Sequence, residues 1–591
     1  MNAIKLAEFY GIQQQKDGTL LNNGTARTAM NMETGDGNLT VAENFAVAVN
    51  APSSDGDETW RALFAFERVT SDDILIACSN KRIMFCTRTG YSELVQDWKQ
   101  LLSFGEFGYT PAETDNAFDA QLARIWNTDY ILIATGGTPI IKASIEDLLV
   151  GNPSWEWFGS DVYYLNTPIT IASVDTTDVS NSVITVSGNA LDPNASQKAY
   201  TRAIVYGVYI MDGDEVKYLL YPDLVDGISA DGSEITLDLT GLTVTTSNTI
   251  QLRGGVSDKA VSSIELFHDR LWSAGDPENV SRLYWSCAAG EGRTIEDWVS
   301  DDYYEDASGG HVDVGVADGD RIVALKALSD CILIFKVNSV WRLYGDRPSN
   351  YTLERISDEV GAYDDKEIVT KYGTPYWLTR NGLYYSDGSN CMNVDSEVDY
   401  LKELFWEVNG TVRRPAMSVP ALRKFFFSVY SDEIGRFILT RDTVTGAYLT
   451  FNGADIADLA TASDEALYLT TDGAVLRREE GSKLLKEYKT GEPLDAVWES
   501  QVMEINSLVM KKQLKALWFR ASGDRIRVKV HTDVGDTQIE VVPSEMKTNV
   551  VRLPVSMAEA RHIQLTVSNV NGSRFSIEGG ILLVFDRMYE G

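Results

Sequence analysis

The sequence predicts an all-β chain: a β-propeller of about seven blades, one β-domain inserted into it, and a C-terminal β-sandwich. Three observations lead there. Helix-forming stretches are few and short against the share usual in globular proteins. Alternation of apolar and polar residues with period two, the mark of half-buried strands, runs through most of the chain. One hairpin core also recurs seven times at related spacing.

The clearest copy is Ile264–Trp285, read as strand, tight turn at His268-Asp-Arg270, strand, loop at Asp276-Pro-Glu-Asn279, strand. The seven cores are Ile74–Ala77 with Arg82–Phe85, Ile131–Ala134 with Pro139–Lys142, Leu271–Ala274 with Arg282–Trp285, Ile332–Phe335 with Val340–Leu343, Pro375–Leu378 with Gly382–Tyr385, Phe425–Ser428 with Phe437–Leu439, and Ala466–Leu469 with Ala474–Leu476. Their starts lie 57, 140, 61, 43, 50 and 41 residues apart, and the long interval holds a Thr/Ser/Val-rich segment at 165–255. A blade is a four-stranded sheet, so units of this length suit a propeller, and stacked sheets bury faces that lone hairpins leave wet. Thr379–Gly382 and Thr470–Gly473 put Asn-Gly and Asp-Gly between paired strands. A string of separate β-sandwiches is the competing arrangement.

Taken in order, residues 1–40 are polar and rich in Gly and Asn, which reads as an extended N-terminal arm. Residues 41–164 and 256–495 form the propeller, and the strand Leu39–Val49 is expected to complete its last blade and remove an exposed edge. Residues 165–255 alternate cleanly at Ser182–Val186, Arg202–Ile210 and Ile235–Leu239, which predicts an inserted β-sandwich. Residues 496–591 hold about eight short strands (Val502–Ile505, Leu514–Phe519, Ile526–Val530, Gln538–Val542, Val550–Leu553, His562–Val567, Phe575–Ile577, Ile581–Phe585), a C-terminal β-sandwich that docks on a partner.

Composition narrows function. The 591 residues carry a net charge of −34, which repels phosphates and disfavours tight nucleic-acid binding. The charge is uneven: from Ala496 onward there are 12 basic and 11 acidic side chains, so the acidic excess lies in the first 495 residues. The insert itself holds 11 acidic and 4 basic residues. No run of ~18 apolar residues predicts a membrane span, and Met1–Tyr10 lacks the apolar stretch of a secretory signal, so synthesis in the cytoplasm is expected. Cys78, Cys86, Cys287, Cys331 and Cys391 show no CxxC spacing and read as buried thiols.

Chemistry-bearing motifs are sparse. The four histidines His268, His311, His531 and His562 lack metal-ligand spacing, and His268 is expected to bond a neighbouring blade's backbone. No GxSxG, Walker or dinucleotide glycine pattern is present. Asp129, Asp313, Asp364, Asp365 and Asp387 could supply carboxylates at a propeller axis, but carboxylates are abundant everywhere. Ser53–Trp60 approaches a sialidase box but has Asp57 where the box needs Gly. Gly254-Gly255 and Gly309-Gly310 read as turn glycines, and the Asp212–Glu215 and Asp318–Asp320 loops as weak calcium candidates. No catalytic, cofactor-binding or metal residue is therefore assigned, no cofactor is expected, and the chain reads as a non-enzyme.

The stretches Ile264–Trp285, Ile322–Leu325, Ile332–Gly345, Gly361-Ala-Tyr363 and Gly373–Gly388, with the opening Gly11 and Ala29–Leu39, resemble tail nozzle or hub proteins of short-tailed bacteriophages, the tail tubular protein B and packaged-DNA stabilisation type. The resemblance covers most of residues 1–495 and rests on spaced aromatic and Gly motifs. It implies a homo-oligomeric ring of six copies around an axial channel, below the portal and adaptor, that retains packaged DNA and conducts it at ejection. It also implies a location in the virion tail after assembly in the bacterial cytoplasm, with tail fibres attached in some members. Acidic walls would let a polyanion slide without gripping it. The alternative is a carbohydrate-binding propeller for receptor recognition, with Trp155 and Trp157 stacking on sugars; packing is the plainer role for that pair.

Overall fold

The computed structural model describes residues 2–6, 8–12, 24–35, 37–53, 56–68, 72–88, 94–107, 118–158, 165–187, 208–213, 215–220, 225–229, 233–252, 260–290, 294–298, 306, 308–379, 381–394, 414–431, 435–503, 511–543, 550–554 and 560–587. Among these the chain is all-β. Its one α-helix, Ile145–Leu149, is a single turn capped by Ser144, whose hydroxyl accepts from the Asp147 N–H. No helix of the described residues is long and apolar enough to cross a membrane.

Seven antiparallel four-strand meanders follow one another along the described chain. The first is Trp60–Phe66, Asp73–Ser79, Arg82–Arg88 and Lys99–Ser103; the second Asp119–Ile125, Thr128–Ala134, Ile141–Ser144 and Glu156–Trp157; the third Ser263–Phe267, Arg270–Ala274, Arg282–Trp285 and Gly310–Asp313. The fourth is Ile322–Ala327, Cys331–Lys336, Val340–Tyr344 and Thr352–Ser357; the fifth Ile368–Lys371, Thr374–Thr379, Gly382–Ser386 and Cys391–Asn393. The sixth is Ala416–Val419, Lys424–Ser431, Gly435–Asp442 and Tyr448–Phe451. The seventh joins Ile456–Ala462, Glu465–Thr470 and Val475–Glu479 to Asn44–Val49 from near the N-terminus. Each of the seven repeated hairpins falls on the two middle strands of one sheet, and among these Asp73–Ser79 and Cys331–Lys336 are buried at every residue.

The chain divides into two compact units. One comprises Met1–Gln100, Lys366–Asp387 and Met392–Gly591; the other comprises Leu101–Asp365 and Gly388–Cys391. In the former, the first strands of the fifth, sixth, seventh and first sheets pack in that order, so the last sheet along the chain lies against the first. In the latter, the first strands of the second, third and fourth sheets pack in series. This second unit also holds a seven-stranded sheet built only from residues 165–252, with its own core of Ile171, Ile184, Val208, Ile210, Ile235, Leu237 and Ile250. Of the strand read at 202–210, residues 202–207 lie outside the described residues, and Val208–Asp212 is a strand.

Four expectations change. The N-terminal segment is paired into sheets rather than extended as an arm: Asn2–Leu6 and Asn38–Val41 both pair with the C-terminal strand Phe575–Arg587, and Ala26–Met30 pairs with Val497–Ser500. Phe9 and Ile12 are buried there, and Phe9 meets Trp498 edge-on at 5.0 Å. The predicted strand Leu39–Val49 is two strands, because the chain leaves one sheet at Val41 and enters the seventh at Asn44. Phe575–Ile577 and Ile581–Phe585 are one strand, which runs through Gly579-Gly580 in the left-handed region (φ 66° and 81°), where a side chain would be strained. Nor is the C-terminal segment set apart. Val497–Ser500, Ile563–Asn569, Ile526–Thr532 and Gly535–Val541 extend the sixth sheet through Ala26–Met30 into nine strands. Of the strand expected at Val502–Ile505, Met503 bridges Ile563, and residues 504 and 505 lie outside the described residues.

Candidate functional site

The first strand of each four-stranded sheet has a sheet partner on one side only. Its other edge carries backbone N–H groups that need acceptors wherever they are buried. At three seams among the described residues a buried carboxylate of the adjacent sheet or the turn before it supplies one.

In the unit holding the second to fourth sheets, Asp119 opens its strand and is 2% exposed. One carboxylate oxygen accepts from the Ala120 N–H and the other from the Ile264 N–H of the third sheet, both at 2.8 Å. The Ser263 hydroxyl lies 3.4 Å from Asp119 and 3.3 Å from Asp365, and accepts from the Leu325 N–H of the fourth sheet at 3.1 Å. Lys326 donates to Asp365 at 2.8 Å. Glu265, half-buried, is the third carboxylate around that ammonium. Burial, and then the Asp365 charge, lift the Asp119 carboxyl well above its ordinary range. Burial pushes Glu265 up to about 7, against the pull of Lys326. Burial alone would lower Lys326, but Asp365, Asp119 and Glu265 together raise it, so it stays an ammonium.

The other unit repeats the device between its seventh and first sheets. Asp458, fully buried, accepts from its own Leu459 N–H at 2.8 Å and from the Leu63 N–H at 2.6 Å. Lys366 reaches Asp458 at 3.2 Å and the Leu63 carbonyl at 2.6 Å. Between the fifth and sixth sheets, Glu367 accepts from the Arg414 N–H at 3.1 Å and from its guanidinium Nε at 3.4 Å. A further fully buried pair, Lys142 with Glu296 at 3.0 Å, ties the second sheet to the loop after the third strand of the third.

Of the residues that the sequence singled out, only Asp365 enters such a cluster. Asp364 is buried. Asp129 pairs with Arg124 at 3.9 Å on the surface and Asp313 with Arg282 at 2.7 Å; Asp387 is exposed. His268 does not reach a neighbouring sheet: with Asp269 it forms an exposed two-residue turn (φ 49° and 58°), its ring stacked on Phe267 at 3.8 Å. Trp155 and Trp157 are half-buried and pack edge-on against each other at 5.0 Å. Asp318 is taken by the buried Lys336 ammonium, and Asp320 by Asn338 and Ser339. Asp212 is the exposed last residue of the strand Val208–Asp212; Asp214, Gly254, Gly255, Ser54 and Asp55 lie outside the described residues. Gly310 opens a strand rather than a turn, where an added Cβ would sit 2.6 Å from the Trp285 ring. Among the described residues no three His, Cys, Asp or Glu side chains converge as metal ligands. Cys78, Cys86, Cys287 and Cys331 are buried and Cys391 half-buried, all as free thiols.

One linear relay was not foreseen. His531 lies between Asp536 (3.2 Å from Nδ1) and Thr566 (3.0 Å from Nε2), the order of a base-activated nucleophile. Thr566 sits within a strand paired on both sides, with Lys529 and with Glu499, so the ladder occupies the backbone around it where an oxyanion would need donors.

Neither a protein family nor a curated protein matches the chain. Solved structures do align. A puromycin-hydrolysing peptidase of Mycobacterium tuberculosis is 10% identical at TM-score 0.28, over 74% of this chain and 58% of its own. AztD from Citrobacter koseri is 9% identical at TM-score 0.28, over 67% of this chain and 96% of its own. A prolyl endopeptidase structure is 11% identical at TM-score 0.25, over 75% of this chain and 54% of its own. The chain thus spans little more than half the length of these two peptidases. The finding corrects one expectation: because peptidases stand among the aligned structures, the exclusion of an enzymatic role is withdrawn. At these scores the likeness assigns no reaction to this chain either.

Proposed function

We propose that the seven sheets close into a propeller and that the chain is a nozzle or hub component of a short-tailed phage tail, assembled as a ring around a channel for DNA. The observation that carries the reading is where the resembling stretches fall. Ile264–Trp285, Ile332–Gly345 and Gly373–Gly388 occupy corresponding strands of the third, fourth and fifth sheets, so the resemblance follows the repeat itself. Closure is supported by the packing of the seventh sheet on the first and by Asn44–Val49, which supplies the seventh sheet's fourth strand from the opposite end of the chain. The charge of −34 suits a conduit wall that a polyanion crosses without being held.

Electron microscopy and native mass spectrometry of the purified full chain test this. The expected result is a closed ring of six copies with an axial opening, and no retention on immobilised duplex DNA at physiological salt. A chain that stays monomeric at every concentration, or that holds duplex DNA tightly in a salt-dependent manner, overturns the reading.

A further inference from the structure

We propose that Asp119, Glu265, Asp365 and Lys326 form a proton-binding switch that sets how firmly the third sheet is held against the second. The argument is one of charge count in a closed space. The second sheet contributes Asp119; the third contributes Glu265 and the Ser263 hydroxyl; the fourth contributes Lys326; the turn before the fifth contributes Asp365. Three carboxylates therefore face one ammonium, and Lys326 is already committed to Asp365 at 2.8 Å. Asp119 and Asp365 are 2% and 3% exposed and share the Ser263 hydroxyl between them. Two carboxylates so placed do not both ionise at low cost. A proton retained on Asp119, along the Asp119–Ser263–Asp365 line, removes the conflict and leaves the bond to the Ile264 N–H in place.

The direction of the pH response follows. Asp119 and Glu265 are both shifted upward in the folded chain, so folding takes up protons that the unfolded chain has already released. The stability they contribute is complete below the ordinary carboxylate range. It is lost as pH rises, first through the Glu265 value of about 7 and then through that of Asp119. The strand that loosens is the first after the inserted sheet, and Val261 before it lies in the same apolar cluster as Ile264 and Phe158. Deprotonation therefore acts at the root from which the insert emerges.

The test uses the full chain as wild type, Asp119→Asn and Lys326→Met. Hydrogen exchange of the Ile264 segment, corrected for intrinsic rates, is followed from pH 6 to pH 9, together with the infrared band of a protonated buried carboxyl at neutral pH. Wild type is expected to lose about tenfold or more of its protection over that range. Asp119→Asn keeps an acceptor for Ile264 and is expected to retain only the smaller pH loss set by Glu265, with a weaker infrared band, while Lys326→Met removes the charge that lowers both carboxyls and shifts the loss to higher pH. Equal pH profiles in wild type and Asp119→Asn overturn the proposal. So does a wild-type chain with no protonated-carboxyl band at neutral pH, a result that stands even if the variants fail to fold.

Discussion

Replacing Asp458 by alanine is the sharpest test of how the sheets hold one another, because it acts where the chain's last four-stranded sheet meets its first. The substitution removes the acceptor of two backbone donors, Leu63 N–H and Leu459 N–H, and the counter-charge of Lys366. An orphaned buried donor costs about 1–3 kcal/mol, and a buried ion pair deprived of one partner about 3–5 kcal/mol. These costs share atoms and do not add. Lys366 keeps its bond to the Leu63 carbonyl, and its side chain is 12% exposed, so water relieves part of its loss. The expected penalty is therefore about 3 kcal/mol, at the lower end of the range for a broken buried pair. Asp458→Asn keeps one acceptor and should cost roughly half of that. A chain of this size need not unfold in one step, so the readout must be local. Hydrogen exchange of the segment around Leu63 is expected to rise about a hundredfold in Asp458→Ala, the equivalent of about 3 kcal/mol. Unchanged exchange there, with an unchanged urea midpoint, would refute the claim that this carboxylate holds the seam.

Other outcomes follow from the same geometry. Under native conditions a bulky thiol reagent should modify Cys391 first and leave Cys86 untouched, since burial pushes that thiol up to about 12; mass spectrometry after timed quenching decides it. Gly361→Ala puts a Cβ 2.2 Å from the Lys336 carbonyl oxygen and should destabilise the fourth sheet by about 1–3 kcal/mol, seen as a lower first thermal transition. Lys142→Met leaves the fully buried Glu296 without its ammonium and should cost about 3–5 kcal/mol, with the loss reduced in Lys142→Met/Glu296→Leu. Deleting residues 2–12 uncovers Trp498, which packs edge-on against Phe9 and donates to the Tyr10 carbonyl, and bares the edge of Phe575–Arg587; a shifted tryptophan emission and faster aggregation should follow.

The parts legible in the sequence are those whose partners are near in sequence. Each repeated hairpin joins strands a few residues apart, and its apolar alternation reports a face that must be covered. The N-terminal pairings carry no such sign: Asn2 meets Phe585, and Ala26 meets Ser500, so their contacts are set by the rest of the fold. A segment rich in Gly and Asn reads as loose until the strand it fills is known. The buried carboxylates had a signal of another kind. Asp458 in Ile-Ala-Asp-Leu-Ala, Glu265 in Ile-Glu-Leu and Lys326 in Ala-Leu-Lys-Ala are charges set inside apolar runs, where a solvated charge would be out of place. That signal fixes burial but not the partner, which here lies 145 positions away for Asp119 and Ile264, and 395 for Asp458 and Leu63.

The position of these charges answers a problem that every stack of separate sheets must solve. A first strand buried against its neighbour exposes N–H groups that water no longer reaches, and no ladder continues across the seam to take them. Apolar side chains fill the space between sheets but accept no hydrogen bond. A carboxylate at the strand edge accepts two donors at once, one on its own chain and one across the seam, as Asp119 and Asp458 both do. The accompanying lysine offsets the charge that this solution introduces, directly at Asp458 and through Asp365 at the Asp119 seam. Where the donor requirement is lighter a hydroxyl is enough, as with Ser263 and the Leu325 N–H. The buried ions thus follow from the sheets' own edges, and in the Asp119 cluster three carboxylates face a single ammonium. That surplus separates a group that merely joins two sheets from one that can also respond to its surroundings.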